Sequence, residues 1–191
     1  LSPVRASGAL NNLRVETAGR SFEQLRDLAE QKWENALSVV EVEGDYDQTC
    51  NIYSSLYHTM INPSLYMDHD GAYRGLDHEI HHADDFINYT VFSVWDTYRA
   101  LHPLFNLVQR DINADIINSM FLKHYQQSVH GALPIWSHMA NENWCMIGYH
   151  GVSVVADAYV KGIEMDEKLA LEAVMSNSTI PYLDGLKEYM E

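Results

Sequence analysis

An aromatic-rich run, Tyr89-Thr90-Val91-Phe92-Ser93-Val94-Trp95-Asp96-Thr97-Tyr98-Arg99-Ala100-Leu101-His102-Pro103-Leu104, occupies the middle of the chain. Tyr89, Phe92, Trp95 and Tyr98 recur every third residue, which puts them along one face of a helix. The spacing predicts a helix over 89–101 that stops ahead of Pro103, because a proline disfavours the helical conformation in the residue before it. Asp96 and Arg99 also share a helical face. Two readings of this run stay open. In one, the stripe packs into a core and Asp96 pairs with Arg99, as helical aromatic stripes usually do. In the other, the Trp95 indole is a platform for the apolar C–H face of a sugar, and the Asp96 carboxylate accepts hydrogen bonds from its hydroxyls.

Helical periodicity continues on both sides. Ser21 and Gln24 have capping-box spacing, and Phe22, Leu25, Leu28, Ala29, Trp33 and Leu37 repeat at helical intervals, with Gly44 at or just past the end. A second helix is predicted from about Asp47 to Ile61, with Tyr53, Leu56, Tyr57 and Met60 inward, and Pro63 stops it. The polar stretch from Ser64 to about Asp85 reads as a long loop. Further helices are expected over roughly 113–125, with Ile116, Ile117, Met120 and Phe121 buried, and from about Cys145 to Lys161, closed by Gly162. Asp166 caps another that carries Leu169, Ala170, Ala173 and Val174, and Pro181 opens a last, truncated element. There is no βαβ alternation, reliable hairpin signal, sequence repeat or low-complexity tract. The expected class is all-α, with residues 1–20 a linker and 21–191 a helical domain whose long polar loops form a site at one end. Periodicity alone does not separate a toroid from a bundle.

The charge narrows the choice of ligand. With 27 acidic and 12 basic side chains the net charge is −15, which repels a phosphate backbone and anionic lipid alike. Nucleic acid and membrane are therefore excluded as expected partners, and a neutral ligand fits better. No apolar stretch approaches the length of a membrane span. Cys50 and Cys145 form neither a CxxC motif nor a disulfide framework. The chain starts at Leu1 without a signal peptide and ends at Tyr189-Met190-Glu191 without a terminating signal, so it reads as an internal piece of a longer protein.

Three other clusters carry candidate chemistry. His78-Glu79-Ile80-His81-His82 satisfies HExxH, in which a helix presents two histidines to zinc and the Glu acts as base. The flanking Gly71, Gly75, Asp77, Asp84 and Asp85 leave almost no apolar face for such a helix, and a solvated polar loop is the preferred reading. Asp68-His69-Asp70-Gly71 lacks the spacing of a calcium loop, so Asp68 and Asp70 read as loop-shaping residues. Asn141-Glu142-Asn143-Trp144-Cys145-Met146-Ile147-Gly148-Tyr149-His150 is placed next to the start of a helix, where its polar groups either cap or bind.

Taken together and in order, Asp68 to Gly75, Tyr89 to Leu104, and Asn141 to His150 continuing into Ala156-Asp157-Ala158-Tyr159-Val160-Lys161-Gly162 resemble the central part of glycoside hydrolase family 92, the α-1,2-mannosidases. Val39 to Met60, with Tyr53, Leu56, Tyr57 and His58, resembles the family's lead into its helical domain. The resemblance implies a partial (α/α)6 toroid, roughly the first half of a barrel of antiparallel helix pairs, preceded in the parent protein by an N-terminal β-sandwich domain. It implies inverting, exo-acting removal of α-linked mannose from glycans, with a calcium ion on the sugar hydroxyls and well-separated acid and base carboxyls. It also implies export to the periplasm or the extracellular space.

The departures from the family pattern matter as much. Its general-acid motif, Glu-Gly-x-x-Trp-Gln, its Asn-Glu-Pro stretch near the metal and its base motif, Gly-Asn-Asp-Asp, do not occur in this chain. Neither catalytic carboxylates nor calcium ligands are therefore assigned here, and the chain alone is expected to be inactive. The resemblance carries over substrate positioning: Trp95 as platform and Asp96 as hydroxyl acceptor, Asn141 and Glu142 beside them, and Arg99, His102 and His150 behind. Asn143 stands where the family usually has Thr. Half a toroid would expose apolar helix faces, so self-association, or association with the missing segment, is expected. The rival readings are a zinc hydrolase on His78, Glu79 and His82, and a non-catalytic helical domain that binds glycan or protein.

Overall fold

A computed structural model describes residues 1–181 and 186–191. The stretch expected as a linker folds into helix α1 (Ala6–Thr17). Gly8 lets α1 approach the 68–71 loop so closely that a Cβ there would lie 2.1 Å from an Asp68 carboxylate oxygen. Asp68 is 1% exposed and accepts from Ser2 Oγ at 2.8 Å and from Asn12 Nδ2 at 2.9 Å. Asp70 shapes the loop as the sequence implies, accepting from the Ala72 amide, and also meets Arg5 at 2.7 Å.

Helix α2 (Phe22–Leu37) starts in the expected capping box: Ser21 Oγ accepts from the Gln24 amide, and the Gln24 side chain accepts from the Ser21 amide. Asp45 caps α3 (Tyr46–Thr59) by accepting from the Gln48 amide. The two helices meet through Trp33 and Tyr57, whose ring centroids are 4.6 Å apart.

The 64–104 region departs from the expected helix and loop. It holds strands β1 (Ser64–Leu65), β2 (Ala72–Arg74), β3 (Ile80–His82), β4 (Tyr89–Thr90) and β5 (Phe92–Ser93), then the single-turn helix α4 (Val94–Thr97) and helix α5 (Leu101–Val108). The helix predicted over 89–101 is overturned because burial alternates: Thr90, Phe92 and Val94 point inward, and the residues between them do so less. A β-branched and aromatic run with this period suits a pleated surface. Pro103 sits in the first turn of α5 instead of ending a helix; the amide it lacks would have no partner there.

β1 pairs with β4 and β2 with β3, both antiparallel. β5 lies beside β6 (Trp136–His138), which pairs with β7 (Asn141–Glu142), giving a three-stranded antiparallel sheet in the order β5-β6-β7. The architecture is thus helix-rich with small sheets, not purely helical. Val91, at φ 74°, turns the chain from the β1–β4 sheet into the three-stranded one. That left-handed conformation is costly for a β-branched residue.

The helix expected over 113–125 is one continuous rod of three parts: α6 (Arg110–Ile116), a π-helical segment (Ile117–Lys123) and α7 (His124–Gln127). Helix α8 (His150–Val160) begins later than the expected Cys145, because Trp144, Met146 and Gly148 all have positive φ. Asp166 caps α9 (Glu167–Thr179) as expected. The element expected from Pro181 lies partly outside the described residues, and α10 (Leu186–Met190) follows.

Phe92, Val94, Phe105, Ile116, Ile117, Phe121, Val154, Val155, Ala158 and Ala173 form the core, so β5 and α4 are anchored directly on the helical layer. A buried polar chain crosses it: Asn113 donates to Asn106 Oδ1 at 2.6 Å, and Asn106 donates to Asp157 at 2.7 Å. These bonds tie α6, α5 and α8 together. Among the described residues no helix is long and apolar enough to cross a membrane.

Candidate functional site

Val94 is 1% exposed and pins the start of α4, while the next residue, Trp95, is 44% exposed. The indole therefore stands at the surface on a rigid base, and the reading of Trp95 as core is overturned. Asp96, beside it, is exposed, and its carboxylate has no side-chain partner among the described residues. The expected Asp96–Arg99 pair is absent. Arg99 instead donates to the Tyr98 hydroxyl at 2.7 Å and lies 5.3 Å from the centre of that ring. Tyr98 stacks on His150 with centroids 4.1 Å apart and planes 10° apart. Arg99, Tyr98 and His150 thus form one cluster at the C-terminal end of α4. Burial, then the nearby Arg99 charge, lowers the His150 pKa and favours a neutral ring.

His102 sits under α4 at 1% exposure, edge-on to Phe92 and Phe121. Its Nε2 lies 3.0 Å from Thr97 Oγ1, whose own hydrogen is donated to the Ser93 carbonyl at 2.9 Å. Thr97 can therefore only accept from the ring, which fixes the Nε2–H tautomer and leaves Nδ1 without a partner. Burial holds the His102 pKa at about 3, so this side chain is a neutral strut for the α4 turn.

Asn141 and Glu142 lie on strand β7, not at a helix start. Asn141 is exposed and donates to the Met139 carbonyl across the β6–β7 turn. The Glu142 side chain is 6% exposed. Its Oε1 accepts from the amides of Trp136 at 2.7 Å and Trp144 at 3.2 Å, and its Oε2 accepts from Ile135 at 3.1 Å. Burial pushes its pKa up against these amides, which pull it down. The register Ser93↔Trp136 and Ser137↔Glu142 places both segments in one sheet. The structure therefore joins Trp95, Asp96, Asn141 and Glu142 through the backbone, with Glu142 inside and the others outside.

Sequence reasoning missed three residues at this face. Trp136 packs on His138 at 5.7 Å, and Trp144, 37% exposed, meets His130 edge-on at 5.2 Å. Trp144 stands in the quoted third segment, and its type alone could have marked it. His124 is buried at 3% side-chain exposure, 3.3 Å from Glu142. It belongs to no motif, and nothing in the sequence signals it.

The HExxH letters lie on the β2–β3 hairpin. His78, at φ 64°, is in the turn, His81 faces Asp77 at 2.9 Å, and the helix that a zinc pair at this spacing needs is not there. The zinc reading falls with it. Among the described residues no three His, Cys, Asp or Glu side chains are arranged to hold a metal ion. The Asp68–Asp70 loop does not fit calcium either, since its carboxylates are engaged by Ser2, Asn12, Arg5 and the Ala72 amide.

The profile described as the Glycosyl hydrolase family 92 catalytic domain matches residues 8–191. The chain belongs to glycoside hydrolase family 92. Among solved structures of this family, the α-mannosidase BT3965 of Bacteroides thetaiotaomicron in complex with mannoimidazole is 49% identical, with a TM-score of 0.95 over 100% of this chain and 25% of that one. The inverting mannosidase BT2199 of Bacteroides thetaiotaomicron VPI-5482 is 33% identical, with a TM-score of 0.82 over 91% of this chain and 24% of that one. The family 92 glycosyl hydrolase ccman5 is 25% identical at a TM-score of 0.76, over 97% and 25% of the two chains. The chain thus spans a quarter of the length of these family 92 relatives. No curated protein matches it.

Proposed function

We propose that this chain is the substrate-positioning part of a calcium-dependent, inverting exo-α-mannosidase that acts on mannose-containing glycans. The observation that carries the reading is the presentation of Trp95 and Asp96. A half-exposed indole and an unpartnered carboxylate stand side by side on a turn anchored in the core. A pyranose needs such a pair, since one of its faces is C–H and its rim is hydroxyl. The mannosidases among its family relatives make mannose the sugar of choice.

In this reading the chain forms part of an (α/α)6 toroid that follows a β-sandwich domain, in a protein exported to the periplasm or beyond. The general acid and base come from parts of the protein outside the 191 residues, and so does the calcium cage, because no three His, Cys, Asp or Glu side chains among the described residues are arranged to hold the ion. The chain's own residues bind and orient. Trp95 holds one face of the ring, Asp96 accepts from its hydroxyls, and the Arg99–Tyr98–His150 cluster adjoins the turn.

The test is sugar affinity in the intact protein. Asp96→Ala and Trp95→Ala should each raise KM for an α-mannoside at least about tenfold, the scale of one charge-assisted hydrogen bond or one stacked ring. Neither should lower the melting temperature, since Trp95 is 44% exposed and the exposed Asp96 carboxylate has no hydrogen-bond or ion-pair partner among the described residues. Unchanged KM in both variants would sink the proposed roles.

A further inference from the structure

We propose that Glu142, with His124 behind it, is a positioning residue that sets where Trp95 and Asp96 stand. The inference rests on the mannose-site reading for its purpose, but not for its geometry. Glu142 does not reach the surface as a ligand: both oxygens are used inside, on the amides of Ile135, Trp136 and Trp144. The next link is the Ile135 carbonyl, which accepts from the Val94 amide at 3.0 Å. Val94 is the residue before Trp95 and the first of α4. One carboxylate is therefore two hydrogen bonds away from the residue that precedes the indole platform, and directly holds the amide of another exposed indole, Trp144.

The segment it holds would not keep its shape unaided. Met139, Ala140, Trp144 and Met146 all have positive φ, at 46°, 60°, 51° and 72°. Side-chain-bearing residues adopt that conformation only when their surroundings impose it. Glu142 lies in the middle of these four and supplies acceptors on both sides of itself. His124 closes the pocket. Its Nε2 is 3.3 Å from Glu142 Oε2 and makes no hydrogen bond, so it bounds the carboxylate by contact. His124 opens α7 directly after the π-helical segment ends at Lys123. His124 also lines a polar cavity of about 30 Å³, with Asn88, Ser119, Gln127 and Ser137 among its walls.

Glu142→Gln is the sharpest variant. It keeps shape and volume but turns one acceptor oxygen into an NH2 that must face a backbone amide, donor against donor. In the intact protein labelled with 5-fluorotryptophan, the Trp95 ¹⁹F resonance, assigned by its loss in Trp95→Phe, should shift or broaden in the Glu142→Gln variant. KM for an α-mannoside should rise about tenfold, with kcat changed less than KM. In a background carrying both Trp95→Ala and Asp96→Ala the same substitution should have little further effect on KM, because the two side chains it acts through are gone. A purely structural brace would lower the melting temperature and leave KM and the Trp95 signal of the folded protein alone; that result overturns the proposal. Should Glu142→Gln fail to fold, His124→Gln carries the same test, with a smaller Trp95 shift expected and an unmoved resonance again contradicting it. A shifted Trp95 resonance in a protein that binds no mannoside, even as wild type, would uphold the positioning role and refute the mannosidase reading instead.

Discussion

His102 shows how much a single side chain contributes without touching a ligand. Its Nε2–H holds Thr97, and its Nδ1 has no partner in a wall of Phe92 and Phe121. With a folded pKa of about 3 against an ordinary 6.5, the ring takes up a proton on unfolding at any pH between those values. A depressed pKa gives stability that is fully present above 6.5 and is lost as pH falls toward 3, at about 1.4 kcal/mol per pH unit for one histidine. His102→Gln should therefore flatten the loss of stability between pH 6 and pH 4 by about that slope, read from denaturant unfolding at several pH values. Parallel curves for variant and wild type would contradict the buried neutral ring. At this scale the sequence was informative about type and blind to burial. Trp95 and Asp96 were legible because an indole beside a carboxylate is chemically unusual. The inward turn of Glu142 was not, because it depends on three amides that only the fold brings together. His124 offered no signal, being one histidine on a helix.

The elements were legible where local chemistry dictates them. Ser21 and Asp166 each cap the helix that their spacing implies, since a cap is an interaction across three residues. The 89–101 region was misread because an aromatic at every third position fits a helix, while the competing two-residue alternation of Thr90, Phe92 and Val94 fits a strand, and tertiary pairing with β6 decided between them. The 68–71 loop and α1 test a similar competition. Ala is a better helix former than Gly by about 1 kcal/mol, so Gly8→Ala should stabilise an isolated helix. Here the added methyl would lie 2.1 Å from an Asp68 oxygen that Ser2 and Asn12 hold in place. The clash should win, and thermal unfolding of Gly8→Ala should show a lower melting temperature and easier proteolysis of residues 1–20. A higher melting temperature would mean that α1 is not docked on Asp68.

For the whole molecule, family membership was legible from three segments, but the shape of the site was not, because it is built from a sheet that the sequence did not announce. Apolar surface remains open. Helix α2 has no fully buried residue, and Phe22, Leu107, Val160 and Leu171 are between 65% and 81% exposed. An apolar cavity of about 370 Å³ opens between α2 and the core, walled by Trp33, Tyr89 and Phe105. Such surfaces associate. The isolated chain is expected to sediment as species larger than its 21.9 kDa, and a clean monomer would show that these faces need no cover. The proposed mannosidase activity is that of the whole protein to which the chain belongs. Its most direct test is mannose release from α-1,2-mannobiose by the intact protein, with and without a calcium chelator, beside the 191-residue chain alone. Release by the intact protein, abolished by the chelator and restored by calcium, is expected, with none from the chain. No release by the intact protein in any condition, or turnover by the chain itself, would contradict it.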